Sequence, residues 1–454
     1  MRACPRRRAC VILARVRSGD LLNLHLDTLG PDGEGVAHHE DLAVHVPGVF
    51  PGERAEVRVT HVSRQHPRAH ADARAVTEPH PARRATPCVH HRDVGAKPGA
   101  PLCTGCPLLS LAVAAQRALK QELLAREFQL HVDGVVAAPE ELGYRWSSKR
   151  VVGGVAGQLV LGSYMRGSHT LAAMHACRVD HPALVLAAEE LRRVADSLAI
   201  EPYDERSGAG DLRYVWLKTD GDAVLLTLVT AQEDSRAAKE LPARLRRPAG
   251  VAWSLQPGPG NNLRGRPPVI LHGRPTLALT LADVTRSVGP LGFLQPNPRV
   301  AALAYHDLVR DPHGEVVTGE RALDLYADSG VTTELLRASF ERVDACEAYP
   351  ESAAQLGLPP ETAEAFLQRQ LADAAVPALV VANPPREGLG PAVCDALLRR
   401  GAPRVHLMSC GPAGLVRDLA ALASGYRLAG LRAYDTLPHT PHVELVAWLA
   451  RVPD

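Results

Sequence analysis

The chain contains few aromatic residues, almost no net charge and no long apolar run. Phenylalanine, tryptophan and tyrosine make up 4% of its 454 residues, so we do not expect a broad platform of stacked rings for nucleic-acid bases. The formal charge of +1 excludes a globally basic surface, and nucleic acid would have to be bound by local patches. No segment approaches the roughly 18 consecutive apolar residues of a membrane-spanning helix, which favours a cytoplasmic protein without membrane contact.

The length and the local patterns divide the chain into several parts. It is too long for one ordinary core, and roughly two to four domains are expected. Residues 1–20 have a basic start and a short apolar run that Arg15 interrupts, which is typical of a disordered extension or of a start site assigned too far upstream. Residues 21–80 alternate apolar and polar positions between tight turns, which predicts an OB-like β-barrel, a fold that often binds oligonucleotides. Residues 81–290 form a central domain with a cysteine-rich loop.

The nine cysteines of the chain are clustered rather than scattered. An odd number in a long chain favours metal binding or catalysis in a reducing compartment over a disulfide scaffold. One Cys-x-x-Cys pair and two single cysteines suit a [4Fe–4S] cluster better than a zinc site, which usually has two such pairs. Zinc remains the alternative. The four candidate ligands are Cys88, Cys103, Cys106 and Cys177.

Residues 291–454 alternate strand-like and helix-like segments. This alternation predicts an α/β fold with a mainly parallel, doubly wound sheet, whose ligands bind outside the carboxyl ends of the strands. Four predicted strands end in segments that carry reactive or polar side chains, and these segments should meet at one edge of the sheet. They are Asp324–Gly330, Glu347, Asn383–Arg386 and Cys410.

A cysteine and a later glutamate are the most informative pair in the sequence. Cys410 follows an apolar strand and precedes a Gly-Pro turn that exposes it at the ligand edge, as a nucleophile requires. Thiols in such places are often only small core residues, which is the alternative. Glu444 lies where another apolar strand begins, and burial there would raise its pKa towards that of a general base. The alternative for Glu444 is an edge-strand side chain that faces water.

The turn Asp324-Leu-Tyr-Ala-Asp-Ser-Gly330 resembles the nucleotide-binding turn of S-adenosylmethionine (SAM) methyltransferases. Gly330 would allow close approach of the backbone, and Glu347 lies where an acid accepts ribose hydroxyls. Asn383 is held by the two prolines that follow it, and its amide can both donate and accept at the edge of a nucleobase. An ordinary turn and a loop that merely stops a strand are the alternatives.

Together these features resemble the RNA uracil-C5 methyltransferase family that has an N-terminal TRAM domain and an iron–sulfur cluster. The resemblance extends from Leu21 to the C-terminus and includes the segment Phe293-Leu-Gln295-Pro-Asn297. It implies that the TRAM module of residues 21–80 binds RNA and that residues 291–454 form a Rossmann-like class I methyltransferase domain. It also implies Cys410 as the nucleophile and Glu444 as the base. The cofactor-binding residues expected on this basis are Gln295, Asp324, Tyr326, Gly330, Glu347 and Asn383, and the implied cluster ligands are Cys88, Cys103, Cys106 and Cys177.

The sequence also departs from that family in four places. The usual Cys-Gly-x-Gly of the cofactor turn is replaced by Ala327-Asp328-Ser329-Gly330, and the usual aspartate before Pro-Pro-Arg is Asn383. The asparagine that usually follows the nucleophile is Gly411, and the first cysteine spacing is longer. The segment between Glu347 and Asn383 is short, which predicts the loss of one helix–strand unit.

The function expected from this resemblance is SAM-dependent methylation of uracil C5 in RNA. The RNA is expected to be 23S ribosomal RNA, because the added β-module and cysteine cluster resemble the ribosomal group, and the protein is expected to act as a monomer. Three alternatives remain: a transfer-RNA enzyme, an RNA-binding iron–sulfur protein without catalysis, and a SAM enzyme for another base or a small molecule.

Overall fold

The N-terminal module is a small, mostly antiparallel, barrel-like sheet. The structure is a computed structural model that describes residues 16–97, 100–260 and 264–453. Buried and exposed residues alternate along the longer strands, as the sequence period of two predicts. The strands of this module are β1 (Leu21–His25), β2 (Thr28–Leu29), β3 (Gly35–His39), β4 (Leu42–Val46), β5 (Arg54–Val62) and β6 (Arg68–Glu78). They pair in the order β1-β5-β6-β4-β3-β2 around a core of inward-facing aliphatic side chains.

The residues just before β1 pack on this module. The predicted extension of residues 1–20 falls mainly on residues 1–15, which lie outside the described residues. Val16, however, is buried in the core of the module, and the Gly19 N–H donates to the Val59 carbonyl. The folded part therefore begins before Leu21, because the apolar side chain at position 16 has a place in the core.

A long helix follows the cysteine-rich loop. Helix α1 (Val113–Phe128) fulfils the helical periodicity of the sequence and ends at Gln129, which adopts a left-handed conformation with φ 55°. Strand β7 (Val135–Val136) then joins the far edge of the C-terminal sheet. Two polar side chains of α1, Gln116 and Lys120, are buried because they contact that C-terminal part.

The central region is a mixed sheet covered by one amphipathic helix. Its order could not be predicted, because the strands are short and their turns are many. The elements are β8 (Ser147–Val155), β9 (Gln158–Tyr164), β10 (Leu171–Ala173), α2 (Pro182–Ser197), β11 (Leu212–Thr219), β12 (Val224–Thr230), α3 (Arg236–Glu240), β13 (Gly250–Leu255) and β14 (Val269–Gly273). The strands pair in the order β10-β9-β8-β11-β12-β13-β14. β11 and β12 are buried along their whole length, and α2 packs its apolar face on them.

A hairpin links this region to the C-terminal sheet. Strands β15 (Leu277–Leu281) and β16 (Val284–Val288) are joined by Ala282 and Asp283, which both have positive φ. Two consecutive residues with positive φ are the mark of the tight turn that matches the twist of paired strands. The inward side chains of the hairpin enter the same core as the first helix of the C-terminal domain.

The C-terminal domain is an α/β sheet with helices on both faces, as the strand–helix alternation predicts. Its elements are α4 (Pro298–Leu308), β17 (Gly319–Leu325), α5 (Val331–Arg337), β18 (Phe340–Cys346), α6 (Pro350–Gln355), α7 (Ala363–Gln370), β19 (Leu379–Ala382), α8 (Pro391–Arg400), β20 (Arg404–Ser409), α9 (Pro412–Leu422), β21 (Tyr426–Tyr434) and β22 (Glu444–Arg451). The strand order is β18-β17-β19-β20-β22-β21-β7. The first four strands are parallel, and β22 runs antiparallel to both of its neighbours.

Between β18 and β19 the chain forms the helices α6 and α7 and no strand. All residues of this connection are described. The predicted loss of a helix–strand unit is therefore confirmed only for the strand, because two helices are present. No helix in the described parts of the chain is long and apolar enough to cross a membrane.

Candidate active site

A cavity of about 490 Å³ lies at the carboxyl ends of the parallel strands of the C-terminal domain. This is the edge at which open α/β sheets bind their ligands. Six of the eight residues predicted to be catalytic or cofactor-binding lie on its wall: Gln295, Tyr326, Glu347, Asn383, Cys410 and Glu444. The other two, Asp324 and Gly330, do not line the cavity. The segments that were predicted to lie together at this edge therefore do so in the structure. The chemical role of each residue stays a prediction.

The turn after β17 is held in shape by Glu347. Tyr326, Asp328 and Gly330 all have positive φ, with values of 60°, 48° and 81°. The Glu347 carboxylate follows the neighbouring strand β18, where it accepts the Asp328 N–H at 2.9 Å and the Tyr349 N–H at 2.6 Å. Each carboxylate oxygen keeps further acceptor capacity. Glu347 can thus order this turn and still accept hydroxyl groups from a ligand.

Asp324 and Gly330 stabilise the turn from outside the cavity. The buried Asp324 carboxylate accepts the hydroxyls of Thr332 at 2.7 Å and Thr333 at 2.6 Å, which ties the end of β17 to the start of α5. Burial raises the pKa of Asp324 to about 6. Gly330 has a positive φ of 81°, which favours glycine. A Cβ atom there would come within 2.3 Å of the end of the Leu356 side chain, which would have to move. Their cofactor-binding role stays a prediction.

Cys410 follows β20 and is half-buried, facing the Arg386 guanidinium. The pKa of the thiol is raised by burial and by the Glu444 carboxylate, while a hydrogen bond from Arg386 opposes this rise. Arg386 reaches this place because its backbone lies against Gly411, where a Cβ atom would be 2.2 Å from the Arg386 carbonyl oxygen. The close approach of the two loops therefore depends on glycine after the cysteine.

Glu444 is the first residue of β22 and is buried. Burial raises the pKa of its carboxyl to about 8, against the opposing charge of Arg386. The expectation of a buried rather than water-facing glutamate is therefore correct. Arg386 lies within electrostatic reach of both Cys410 and Glu444, so one cation acts on both acidic groups.

Asn383 leaves the end of β19 towards the cavity. Its N–H donates to the Leu325 carbonyl at 3.3 Å, and Pro384 and Pro385 follow it on the cavity wall. The chain then turns back at Leu389, whose N–H donates at 2.8 Å to the carboxylate of Asp418 in α9. The loop that carries Asn383 and Arg386 is thus anchored at both ends.

The segment that leads into Glu444 is held by helix α1, a contact that the sequence pattern did not predict. The buried Lys120 ammonium donates to Asp435 Oδ1 at 2.5 Å and to the carbonyls of Leu437 at 3.2 Å and His442 at 3.0 Å. Leu437 and His442 also line the cavity. Nothing in the sequence distinguishes Gln116 and Lys120 from the other polar side chains of this helix, and neither belongs to a motif.

Lys218 of β11 performs a similar task for the segment that leads into Gln295. The buried Lys218 ammonium donates to the carbonyls of Gly289 and Gly292. On the other side, the Gly292 N–H donates to Glu351 at 3.1 Å. The central sheet therefore fixes part of the cavity wall, and the predicted Phe-x-Gln segment depends on a residue far earlier in the chain.

The four predicted cluster ligands come from two separate segments and lie in one region. Cys88, Cys103, Cys106 and Cys177 are free thiols. The pKa of Cys106 is raised by burial, and the other three cysteines add to this rise while Arg145 opposes it. In the described residues, which omit 98–99 of this loop, no group of three or more histidine, cysteine, aspartate or glutamate side chains has an arrangement that could hold a metal ion. Four cysteine thiols are the donors that a [4Fe–4S] cluster requires, but their positions in the structure do not form a metal site.

Comparisons with known proteins agree with this architecture. Residues 368–452 match the family described as tRNA (Uracil-5-)-methyltransferase, and residues 15–71 match the TRAM domain. An uncharacterized RNA methyltransferase of Thermosynechococcus vestitus is 31% identical over 463 residues, covering 95% of this chain and 98% of that protein. Another, from Geobacter sulfurreducens, is 29% identical and covers 96% of this chain and 91% of that protein.

A solved structure shares the fold over almost the whole chain. It is the Pyrococcus abyssi tRNA (uracil-54, C5)-methyltransferase in complex with S-adenosyl-L-homocysteine, with a TM-score of 0.72 and 22% identity. The match covers 94% of this chain and 100% of that one. Because the relative from Thermosynechococcus vestitus is 31% identical along nearly all of both chains, the protein belongs to the RNA methyltransferases, with a C-terminal tRNA (Uracil-5-)-methyltransferase family domain and an N-terminal TRAM domain.

Proposed function

We propose that this enzyme methylates C5 of a uridine in 23S ribosomal RNA, with Cys410 as the nucleophile and Glu444 as the base. The observation that carries the proposal is that the thiol and the carboxyl face one cavity, with the Arg386 guanidinium close to both. A nucleophile, a separate base and a group that tunes both are the parts that covalent catalysis requires.

The role of Cys410 follows from the weak nucleophilicity of uracil C5. Addition of the Cys410 thiolate to C6 forms a C–S bond, breaks the C5=C6 double bond and leaves an electron-rich enolate at C5. Arg386 favours this step because its charge stabilises the thiolate against the effect of burial.

Glu444 completes the reaction after C5 has been methylated. Its carboxylate takes the proton from C5, and the electron pair of that C–H bond rebuilds the double bond as the Cys410 sulfur leaves C6. A base whose pKa is raised to about 8 accepts this proton more readily than an ordinary glutamate. The target base has to leave any stack to enter the cavity.

Asn383 is proposed to read the edge of uracil. Its amide oxygen can accept the N3–H while its amide nitrogen donates to the neighbouring carbonyl, so that one side chain makes two hydrogen bonds. The two prolines that follow it hold this side chain at the cavity wall.

The cofactor half of the cavity fits SAM. Gln295, Tyr326 and Glu347 would hold it, with the Glu347 carboxylate accepting ribose hydroxyls from the side that its two backbone N–H groups leave open. Bound there, SAM supplies a methyl group activated by a positively charged sulfur. The chain's own contribution is to bring C5 and this methyl group together and to keep water out.

The four cysteines are proposed to hold a [4Fe–4S] cluster with a structural role, because free thiols from two distant segments meet in one region. Ribosomal RNA is proposed as the substrate because the TRAM module and the cysteine region resemble the ribosomal group; transfer RNA is the alternative, since a transfer-RNA enzyme shares the fold over 94% of this chain. We propose that the RNA strand reaches the site through the cavity beside the TRAM loop and the cysteine loop. Three arginines line it, Arg145, Arg166 and Arg386, of which Arg166 pairs with Asp32.

Tritium release tests this function. RNA that carries [5-³H]uridine, taken from cells that lack the protein, is divided into ribosomal and transfer fractions and incubated with and without SAM. We expect SAM-dependent release from ribosomal RNA that disappears in Cys410→Ala. Release from transfer RNA alone would reassign the substrate, and no release from either fraction by folded, SAM-binding protein would refute the proposed reaction.

A further inference from the structure

The carboxylate of Asp328 lies on the cavity wall at a position where the related family has glycine. It belongs to the turn after β17 and shares the wall with Gln295 and Glu347. Its φ of 48° is in the left-handed region, which glycine adopts without cost and most other residues avoid. A residue that accepts backbone strain to place a charge in a binding cavity is a candidate for a functional role.

Hydrogen bonds hold Asp328 in position, and none of them comes from a cationic side chain. Its N–H donates to Glu347 at 2.9 Å, and the Ser352 hydroxyl lies 3.4 Å from Asp328 Oδ1. Burial and the charge of Glu347 raise the pKa of Asp328 to about 7, while the buried Lys218 ammonium, which donates hydrogen bonds to two backbone carbonyls, opposes this rise. A cationic group bound in the cavity would favour the ionised form of this carboxylate.

The Asp328 carboxylate and the proposed base Glu444 line the same cavity as the predicted cofactor residues Gln295 and Glu347. A donor that delivers its methyl group in this cavity would have its reacting end in the field of the Asp328 carboxylate. The positive charge of the methyl donor is centred on the sulfur that carries this methyl group.

We propose that Asp328 recognises the positively charged sulfur of SAM and makes the enzyme hold SAM more tightly than the product S-adenosylhomocysteine. The two molecules differ by one methyl group and one positive charge, so a carboxylate near the sulfur distinguishes them by charge attraction. Loss of that charge in the reaction then weakens binding of the product and favours its release. This inference rests on the SAM dependence of the family and does not depend on which RNA is methylated.

Binding measurements without RNA test the inference separately from the reaction. The dissociation constants of SAM, S-adenosylhomocysteine and sinefungin are measured by calorimetry for the full-length protein; sinefungin carries a protonated amine where SAM has its sulfonium. In Asp328→Asn we expect the affinity for SAM and sinefungin to fall about tenfold, or about 1.4 kcal/mol, and the affinity for S-adenosylhomocysteine to change less than about twofold. Asp328→Gly, which removes both the carboxylate and the backbone strain, should give the same pattern.

Glu347→Gln is the matched control, because it removes another carboxylate from the same wall. Since all three ligands share the ribose hydroxyls, it should weaken all three alike. Equal effects of the two Asp328 variants on all three ligands, or no effect, would overturn the proposal. A selective loss of the cationic ligands in Glu347→Gln alone would assign the charge recognition to Glu347 and also overturn it.

Discussion

Replacement of Lys120 by methionine tests whether helix α1 holds the segment that carries the proposed base. The Lys120 and Asp435 side chains are both fully buried, and the ammonium also donates to two backbone carbonyls. Methionine keeps the length of the side chain but leaves the Asp435 carboxylate without its cation. Removal of one partner of a buried ion pair costs about 3–5 kcal/mol, so we expect the free energy of unfolding to fall by about 4 kcal/mol, with loss of methyl transfer.

Urea-induced unfolding followed by circular dichroism measures this change. Lys239→Met is the matched control, because Lys239 pairs with Asp234 on the surface, where the side chains are 64% and 89% exposed, and such pairs contribute about 0–1 kcal/mol. In the double variant Lys120→Met/Asp435→Asn, we expect about 2 kcal/mol to be regained, because the uncompensated charge is gone. If Lys120→Met costs no more than Lys239→Met, the proposed anchoring is refuted.

Three further predictions concern the site and the cysteine loop. The value of kcat/KM should rise between about pH 6 and 8, because burial raises the pKa of Glu444 to about 8 and its carboxylate must be ionised to accept the C5 proton. It should continue to rise above about pH 8, because Cys410 attacks as the thiolate and the pKa of its thiol is also raised; a profile that is flat between about pH 6 and 8 would contradict the role of Glu444. Gly411→Ala should lower activity at least about tenfold, because its Cβ would meet the Arg386 carbonyl oxygen at 2.2 Å; Gly134→Ala, at a glycine with open space around it, is the control, and equal activity of both variants would be the contrary result. Protein purified without oxygen should contain about four iron atoms per chain, and Cys103→Ser should lose them while it keeps SAM binding; bound zinc instead of iron would favour the alternative site.

The sequence was sufficient to predict where the site lies, but not which distant residues hold it in place. Glu347, Asn383 and Cys410 were placed together because each follows a strand, and the carboxyl ends of parallel strands share one edge. The short segment between Glu347 and Asn383 predicted the loss of one helix–strand unit; a strand is absent there, while two helices are present. Local patterns were sufficient for these conclusions.

The residues that sequence reasoning missed act over long distances in the chain. Lys120 and Asp435 are 315 positions apart, and Lys218 donates to carbonyls that follow it by 71 and 74 positions. No periodicity or motif marks such pairs, because their meaning depends on which elements pack together. Asp324 was predicted to bind the cofactor, and this role stays a prediction; its carboxylate does not line the cavity and accepts two threonine hydroxyls. The hydroxyls of Thr332 and Thr333, in the first turn of α5, compete with a ligand for the Asp324 carboxylate.

The central claim is that the Cys410 sulfur forms a covalent bond to uracil C6 and that this bond breaks when Glu444 removes the proton from C5. The most direct measurement is the isolation of a protein–RNA adduct that survives denaturation, from Glu444→Gln incubated with ribosomal RNA and SAM. Because this variant keeps the nucleophile and lacks the base, we expect the adduct to accumulate with a methyl group at C5, and to be absent in Cys410→Ala/Glu444→Gln. An adduct that persists without the Cys410 thiol, or turnover in Glu444→Gln that equals the wild type, would contradict the account.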